Sequence, residues 1–466
     1  MTEKRSVQVL SPYDRSSIGT LPEADEAHCM SVLEQSHALY EQRDQWLPKH
    51  ERVAILSRLA ELVSQRREQL TLQAAREGGK PYADSLIEVE RAEQGILAAV
   101  HELHHLGGAE IPMGLTASSS GRMAFTYREP RGVVLSISAF NHPVNLIVHQ
   151  VIPALAVGAP VIIKPAPDTP LSCRSIVQLL YEAGLPEAWC RMVLCENEVT
   201  QKLVGDRRTA FLSFIGSHRV GWYLRSKLAP GAACALEHGG VAPVIVDATA
   251  KLDDAVPLLV KGGYYHAGQV CVSVQRIYVQ ESKRERLCEQ LVGAISPLRV
   301  GDPTAKDTDV GPLIRPSEVD RVATWVDEAV RAGARAAIGG KRLSETCYAP
   351  TLLIDPPDDA RVSREEIFGP VVSVYGYGEL DEAIARANAP DAFFQAAVFT
   401  QDLGVALRAH RRLRGMSVMV NDHTAFRVDS MPFGGHLASG LGLGGIGYSM
   451  RDMSLERMFV VRSSEL

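Results

Sequence analysis

Cysteine is scarce in this chain: eight residues in 466, with no two in a C-x-x-C pair. That spacing argues against a disulfide framework and a zinc knuckle, so each thiol reads first as a small buried apolar group. Long hydrophobic runs are missing too. The most apolar stretch, Val151 to Ile163, is broken by Pro153, Gly158 and Pro160 and stops at Lys164, short of the roughly 18 residues that cross a bilayer. The N-terminal MTEKRSVQVLSPYDRSS is charged but lacks the apolar core and cleavage site of a secretory signal, so a cytoplasmic protein is expected. Basic charge is not in surplus, because 49 Lys and Arg face 55 Asp and Glu for a net −6. Neither nucleic acid nor a membrane is therefore an expected partner. No fixed-period repeat or low-complexity tract appears, which excludes solenoids and arrays.

What remains is an ordinary globular composition, 46% hydrophobic and 22% charged. From Glu51 to Leu106, apolar residues recur at helical spacing among Arg, Glu and Gln, predicting amphipathic helices. From Gly132 onward strand and helix alternate, as in GVVLSIS, VNLIVHQVIPALAVG, PVIIK and SIVQLLYEAG, then RMVLC, AFLSFIG, VGWYLRSKL and AACALE. A second alternating region opens at PVIVD and runs to Phe433. Two α/β domains built on mostly parallel sheets follow from that texture. Residues 111–129 read as a hairpin around a Ser/Gly turn and ERMFVVRS as a lone C-terminal strand. Neither has a partner in its own domain, so these pieces are expected to pair together and across subunits.

Two formal motifs mislead. His101-Glu102-Leu103-His104-His105 satisfies H-E-x-x-H, but Ile111 stands where the longer zinc motif needs a third histidine, and a solvated helix end is the better reading. Gly440-Leu441-Gly442-Leu443-Gly444-Gly445 satisfies G-x-G-x-x-G with no strand before it, and reads as a flexible turn opening the last helix. A stronger signal is Gly268-Gln269-Val270-Cys271, a cysteine set after a helix and turn and ahead of a strand, where a thiolate can face a cleft. With it stand Leu236-Glu237-His238-Gly239-Gly240, the strand-to-helix junction Phe214-Ile215-Gly216-Ser217-His218, Glu366-Ile367-Phe368-Gly369-Pro370 and Pro432-Phe433-Gly434-Gly435.

Taken in order with Pro130–Val134, Phe140–Pro143 and Lys164–Pro170, these motifs make the chain resemble the aldehyde dehydrogenase superfamily over essentially its whole length. AGQVCVSVQRIYV, FRVDSMPFGG and GIGYSMRDM are most similar to its lactaldehyde and non-phosphorylating glyceraldehyde-3-phosphate dehydrogenase branch. The resemblance implies an aldehyde dehydrogenase-like α/β fold: a Rossmann-type NAD(P)-binding domain over 1–110 and 130–238, a catalytic domain over 239–436, and oligomerisation strands at 111–129 and 453–466. It implies oxidation of an aldehyde to the acid with NAD or NADP and no metal, in a homodimer or dimer of dimers. The nucleophile falls on Cys271, the general base on Glu237 and the oxyanion-binding amide on Asn141. Lys164, Gly216, Ser217, Glu366 and Phe368 are assigned to the cofactor. A coenzyme A-acylating enzyme and a catalytically silent relative are the alternatives. The retained Glu237 favours hydrolysis, since the acyl-transferring relatives generally lack it.

Three departures from the family pattern stand out. Pro167 replaces the usual glutamate that holds the adenosine 2′-hydroxyl, with Asp168 beside it, so cofactor preference is left open. His238 and Val241 flank the glycine pair where Leu and Lys are usual, and Leu443-Gly444 replaces Arg-Glu. Arg427 and His142 are the candidate substrate residues. Arg427 either faces the pocket, where its fork would suit a phosphate, carboxylate or sulfonate, or pairs with Asp429. His142 and His149 either line the tunnel or pack beneath it.

Overall fold

The computed structural model describes residues 6–466, so the charged start at 1–5 lies outside the described residues. The helical spacing after Glu51 builds Lys49–Gln65, Arg67–Gly78 and Tyr82–His105. Their apolar faces close over helix Asn145–Val157, every residue of which is buried. A helix apolar all round belongs in an interior, and here it forms the layer beneath the first sheet.

That sheet begins in its middle, at Val133–Ile137, and runs outward through Val161–Lys164 to Cys190–Met192. The chain then returns to the other side with Thr209–Ile215 and Ala233–Glu237, all in parallel. The reversal beside Val133–Ile137 is the doubly wound order, which leaves a crevice at the carboxyl ends of the strands. Lys164 and Gly216 stand at the ends of the two strands flanking that reversal. A second sheet of seven strands follows, in the order Arg335–Ile338, Thr351–Ile354, Val371–Tyr377, Arg276–Gln280, Pro243–Val246, Gln395–Phe399 and Ser417–Val420. The α/β expectation of parallel sheets under helices holds in both halves.

The glycine-rich segment near the C-terminus departs from its reading as a flexible turn. Gly440–Leu441 is a short strand that pairs antiparallel with the first sheet, setting Gly440 opposite Glu237. Only Gly445, at φ 99°, serves as the N-cap of the last helix, Ile446–Asp452. Two-residue strands carry no propensity signal of their own, so backbone pairing decides them. The hairpin pieces do pair with the C-terminal strand: Ser454–Arg462 runs antiparallel along all of Arg122–Pro130, and Glu110–Ile111 joins the opposite edge. One face of this sheet leaves Met123, Phe125 and Phe459 exposed, and Met458 and Val460 are exposed on the other. Among the described residues, no helix is long and apolar enough to cross a membrane.

Helix Pro170–Glu182 shows how a distant carboxylate can cap a helix. Its first N–H groups have no side-chain cap of their own. Instead the fully buried Glu77 accepts from the backbone N–H of Leu171 and Ser172 and from the Ser172 hydroxyl. Burial pushes that carboxyl up to about 7 against the pull of those donors. Removing it would strand the buried donors. Glu77→Ala is expected to lower the unfolding free energy by about 2–4 kcal/mol, read from the urea midpoint at unchanged m-value.

Candidate active site

Cys271 follows helix Leu252–Tyr264 and a tight turn in which His266, Ala267 and Gly268 all take positive φ (49°, 53° and 69°). A Cβ on Gly268 would come 2.1 Å from the Gly369 carbonyl oxygen, so only glycine lets the E-I-F-G-P segment brace this turn. Gln269 ties the turn down. Its Nε2 donates to the carbonyls of His266 and Pro312, and its Oε1 accepts from Ile314 N–H at 2.9 Å. Its own carbonyl accepts from Asn141 Nδ2 at 2.9 Å. The buried Asn141, from the loop after Val133–Ile137, is thereby held beside the cysteine loop with one amide hydrogen fixed and the other free. Gln275 does the same for Glu366, since its amide bridges the carbonyls of Val362 and Glu365 and the N–H of Ile367.

Glu237 ends strand Ala233–Glu237. Segment 438–440 covers it: His238 N–H donates to Ser439 O at 3.0 Å, and Ser439 Oγ donates to Gly239 O at 2.8 Å. Gly444 presses on the carboxylate, where a Cβ would lie 2.2 Å from Glu237 Oε1. This explains glycine at 444, which sequence alone left without a physical account. A small cavity behind Glu237 is lined by His149, Gln150, Ser213, Phe214, Ala235 and Ser449. His238 is buried and donates through Nδ1 to Ala438 O, between the rings of Phe214 and Trp222.

Electrostatics draw these groups into one pocket. Burial pushes the Cys271 thiol up to about 12, the neighbouring Glu366 and Glu237 add to that, and Arg427 opposes it. Burial also raises Glu237, again opposed by Arg427. Glu366 is pushed up to about 8 by burial, with Arg321 opposing. Its Oε1 is buried without a partner and rests on Gly239, where a Cβ would be 1.8 Å away. Phe368 meets Phe140 edge-on at 5.9 Å.

These features fit a dinucleotide. An orphaned carboxylate oxygen at Glu366 suits ribose hydroxyls, and helix His218–Arg225 opens at the crevice with Ser217 at its N-cap position making no side-chain cap bond, where backbone N–H groups suit a pyrophosphate. Lys164 is buried at its strand end near Glu23, Cys29 and Cys195. Asp168 is gripped by the Arg315 guanidinium, Nε to Oδ1 at 2.9 Å, so its charge is already matched beside Pro167.

Of the two sequence readings for Arg427, the Asp429 salt bridge is not the one observed. Asp429 instead takes a two-pronged bond from Arg91, a residue that sequence reasoning missed, with further bonds from Asn145 and His149. Arg427 lies flat on Phe433, its guanidinium carbon 3.6 Å from the ring centre. Phe433 in turn packs with Val270, Val272 and Cys271. His142 is turned toward His266, ring to ring at 6.3 Å, on the side of the buried Lys80–Glu88 pair. His101, His104 and His105 are exposed and Glu102 faces Arg451. Among the described residues, no group of three His, Cys, Asp or Glu is placed to hold a metal ion. Gly444→Ala is expected to cut kcat/KM at least about a hundred-fold by displacing Glu237, with circular dichroism unchanged; a near-normal rate would refute that contact.

The Aldehyde dehydrogenase family profile matches residues 1–458. The 3-sulfolactaldehyde dehydrogenase of Priestia megaterium is 39% identical over 413 residues, 88% of this chain and 86% of that protein. Aldehyde dehydrogenase 21 from Physcomitrella patens, solved with the reaction product succinate, superposes with a TM-score of 0.95 at 32% identity, covering 99% of this chain and 96% of that one. The glyceraldehyde-3-phosphate dehydrogenase GapN from Methanocaldococcus jannaschii, solved with NADP, gives 0.94 at 32% identity, covering 99% and 100%. The chain therefore belongs to the aldehyde dehydrogenase family and is an NAD(P)-dependent aldehyde dehydrogenase.

Proposed function

We propose that the substrate is a small aldehyde carrying an anionic group, and that it leaves as the carboxylic acid. The carrying observation is Arg427: it packs on Phe433 beside Cys271, and the carboxylate nearest it in sequence, Asp429, is occupied by Arg91. The half-buried guanidinium forms no ion pair among the described residues, so a substrate anion can complete it, and its planar fork suits sulfonate, carboxylate and phosphate alike. Two of the relatives above are named for a sulfonated and a phosphorylated aldehyde, and the third was solved with the dicarboxylate product succinate.

Cys271 attacks the aldehyde carbonyl, and the free Asn141 amide hydrogen and the Cys271 backbone N–H stabilise the oxyanion of the resulting thiohemiacetal. NAD or NADP, when bound, would supply the hydride acceptor for the oxidation. Glu366 would orient its ribose, Gly216 and Ser217 would hold the pyrophosphate, Lys164 would reach the adenosine ribose, and Phe368 would pack beside the nicotinamide. Glu237 then takes a proton from the water that cleaves the Cys271 thioester, and burial, by raising its carboxyl, makes it a stronger base than an exposed glutamate. Coenzyme A is not required. With Pro167 in place of a glutamate at the adenosine end and Asp168 paired with Arg315, the carboxylate that would repel a 2′-phosphate from position 167 is missing, and both cofactors are accepted. His142, whose ring lies within electrostatic reach of Arg427, is placed with it at the substrate. The apolar face bearing Phe125 and Phe459, rings 5.3 Å apart, joins a second copy in a cytoplasmic homodimer or dimer of dimers.

Reduced-cofactor formation with anionic and neutral aldehydes, without coenzyme A, tests the reading. Cys271→Ala abolishes activity and Asn141→Ala lowers kcat by about 10²–10³; turnover by Cys271→Ala, or a need for coenzyme A, overturns it. Cys271 is neutral below its raised pKa, so iodoacetamide labelling of its peptide rises about ten-fold per pH unit between about pH 7 and 9. A plateau in that range would contradict the buried, neutral thiol. In light scattering, Phe459→Arg lowers the assembly state.

A further inference from the structure

Asp429 accepts from three side chains at once. Arg91 grips it through Nε at 3.1 Å and Nη2 at 2.8 Å, Asn145 Nδ2 lies at 3.2 Å, and His149 Nε2 at 2.6 Å. The other ring nitrogen, His149 Nδ1, is 3.3 Å from Arg427 Nη2. Both His149 and Asp429 are nearly inaccessible, at 5% and 6% exposure, so water does not compete for these bonds.

The donor and acceptor roles then follow. Those partners hold the Asp429 carboxyl ionised, well below the usual range, so it carries no proton and His149 Nε2 must carry the hydrogen between them. A guanidinium never accepts, so Nδ1 must offer its lone pair to Arg427. We infer that His149 is a positioning residue for Arg427: locked by Asp429 in the tautomer that leaves Nδ1 bare, it fixes the guanidinium against Phe433 so that the remaining N–H groups face a substrate anion. Arg427 Nε is buried with no partner, which is the vacant donor this arrangement leaves. The opposite tautomer would set N–H against N–H and push the guanidinium away. His149 also lines the small cavity that Glu237 lines. Arg91, a second arginine nearby, has spent its fork on Asp429 and holds the relay rather than the substrate.

The inference rests on the proposed anion-binding role of Arg427, so both are tested together. Succinic semialdehyde and butanal, of equal chain length, are compared by steady-state kinetics in wild type, Arg427→Leu, His149→Gln, His149→Phe and His149→Asn. Gln reaches Asp429 but leaves no acceptor at Nδ1, whereas Asn keeps an acceptor near that position. The expected result is that Gln and Phe lower the anionic-to-neutral ratio of kcat/KM about ten-fold, chiefly through KM, and that Asn restores most of it. Should Phe fail to fold over the buried Asp429, Gln carries the same comparison. Loss of the ratio in Arg427→Leu with full retention in His149→Gln overturns the positioning role and leaves the substrate reading intact. Retention of the ratio in Arg427→Leu overturns both.

Discussion

Desolvation of three acidic groups in one pocket is the condition on which the rest of the site depends. Cys271, Glu237 and Glu366 would all be anions if fully ionised, and each is raised by burial. Each further charge would also oppose the next, since Glu366 and Glu237 both push the thiol up. One cation, Arg427, works the other way and favours the anionic form of both Cys271 and Glu237. The resting chain therefore keeps its nucleophile as a neutral thiol, a poor target for alkylation and oxidation. Reactivity has to come with the arrival of ligands that change the local field, which couples the chemistry to a filled site.

Holding such groups together without water requires a scaffold whose own polar atoms are satisfied. Two glutamines do much of that. Gln269 links the cysteine turn to Asn141 and to Pro312 and Ile314, and Gln275 links the following strand to the segment bearing Glu366. Glycines do the complementary job at Gly239, Gly268 and Gly444, where backbone or carboxylate oxygens come closer than any Cβ permits. Positions are thus set by amide bonds and by missing side chains, both stiffer than an exposed salt bridge.

The alternating strands and helices were legible because hydrophobic periodicity reports local burial, and the fold obeyed it from Val133 to Val420. Cys271, Glu237 and Glu366 were legible from motif resemblance, and the structure brings the three into one electrostatic neighbourhood. The partner of Asp429 was not: Arg91 lies 338 residues away, and nothing in local sequence chooses it over Arg427 two residues off. Gly440–Leu441 was hidden for a different reason, since a two-residue edge strand exists only through its pairing with Leu236 and Glu237. His142 shows the limit of adjacency. It follows Asn141 directly, yet its ring is directed toward His266 and Lys80.

The pairing of Gly440 with Glu237 also bears on the order in which the molecule is completed during synthesis. Glu237 sits near the middle of the chain, but its cover is contributed by residues 438–445. A ribosome-bound chain interrupted before that segment can have both sheets' central strands and still leave the glutamate at an open sheet edge, wet and unpaired. The surroundings of Glu237 are therefore complete only once residue 445 has been added, some two hundred positions after the glutamate itself.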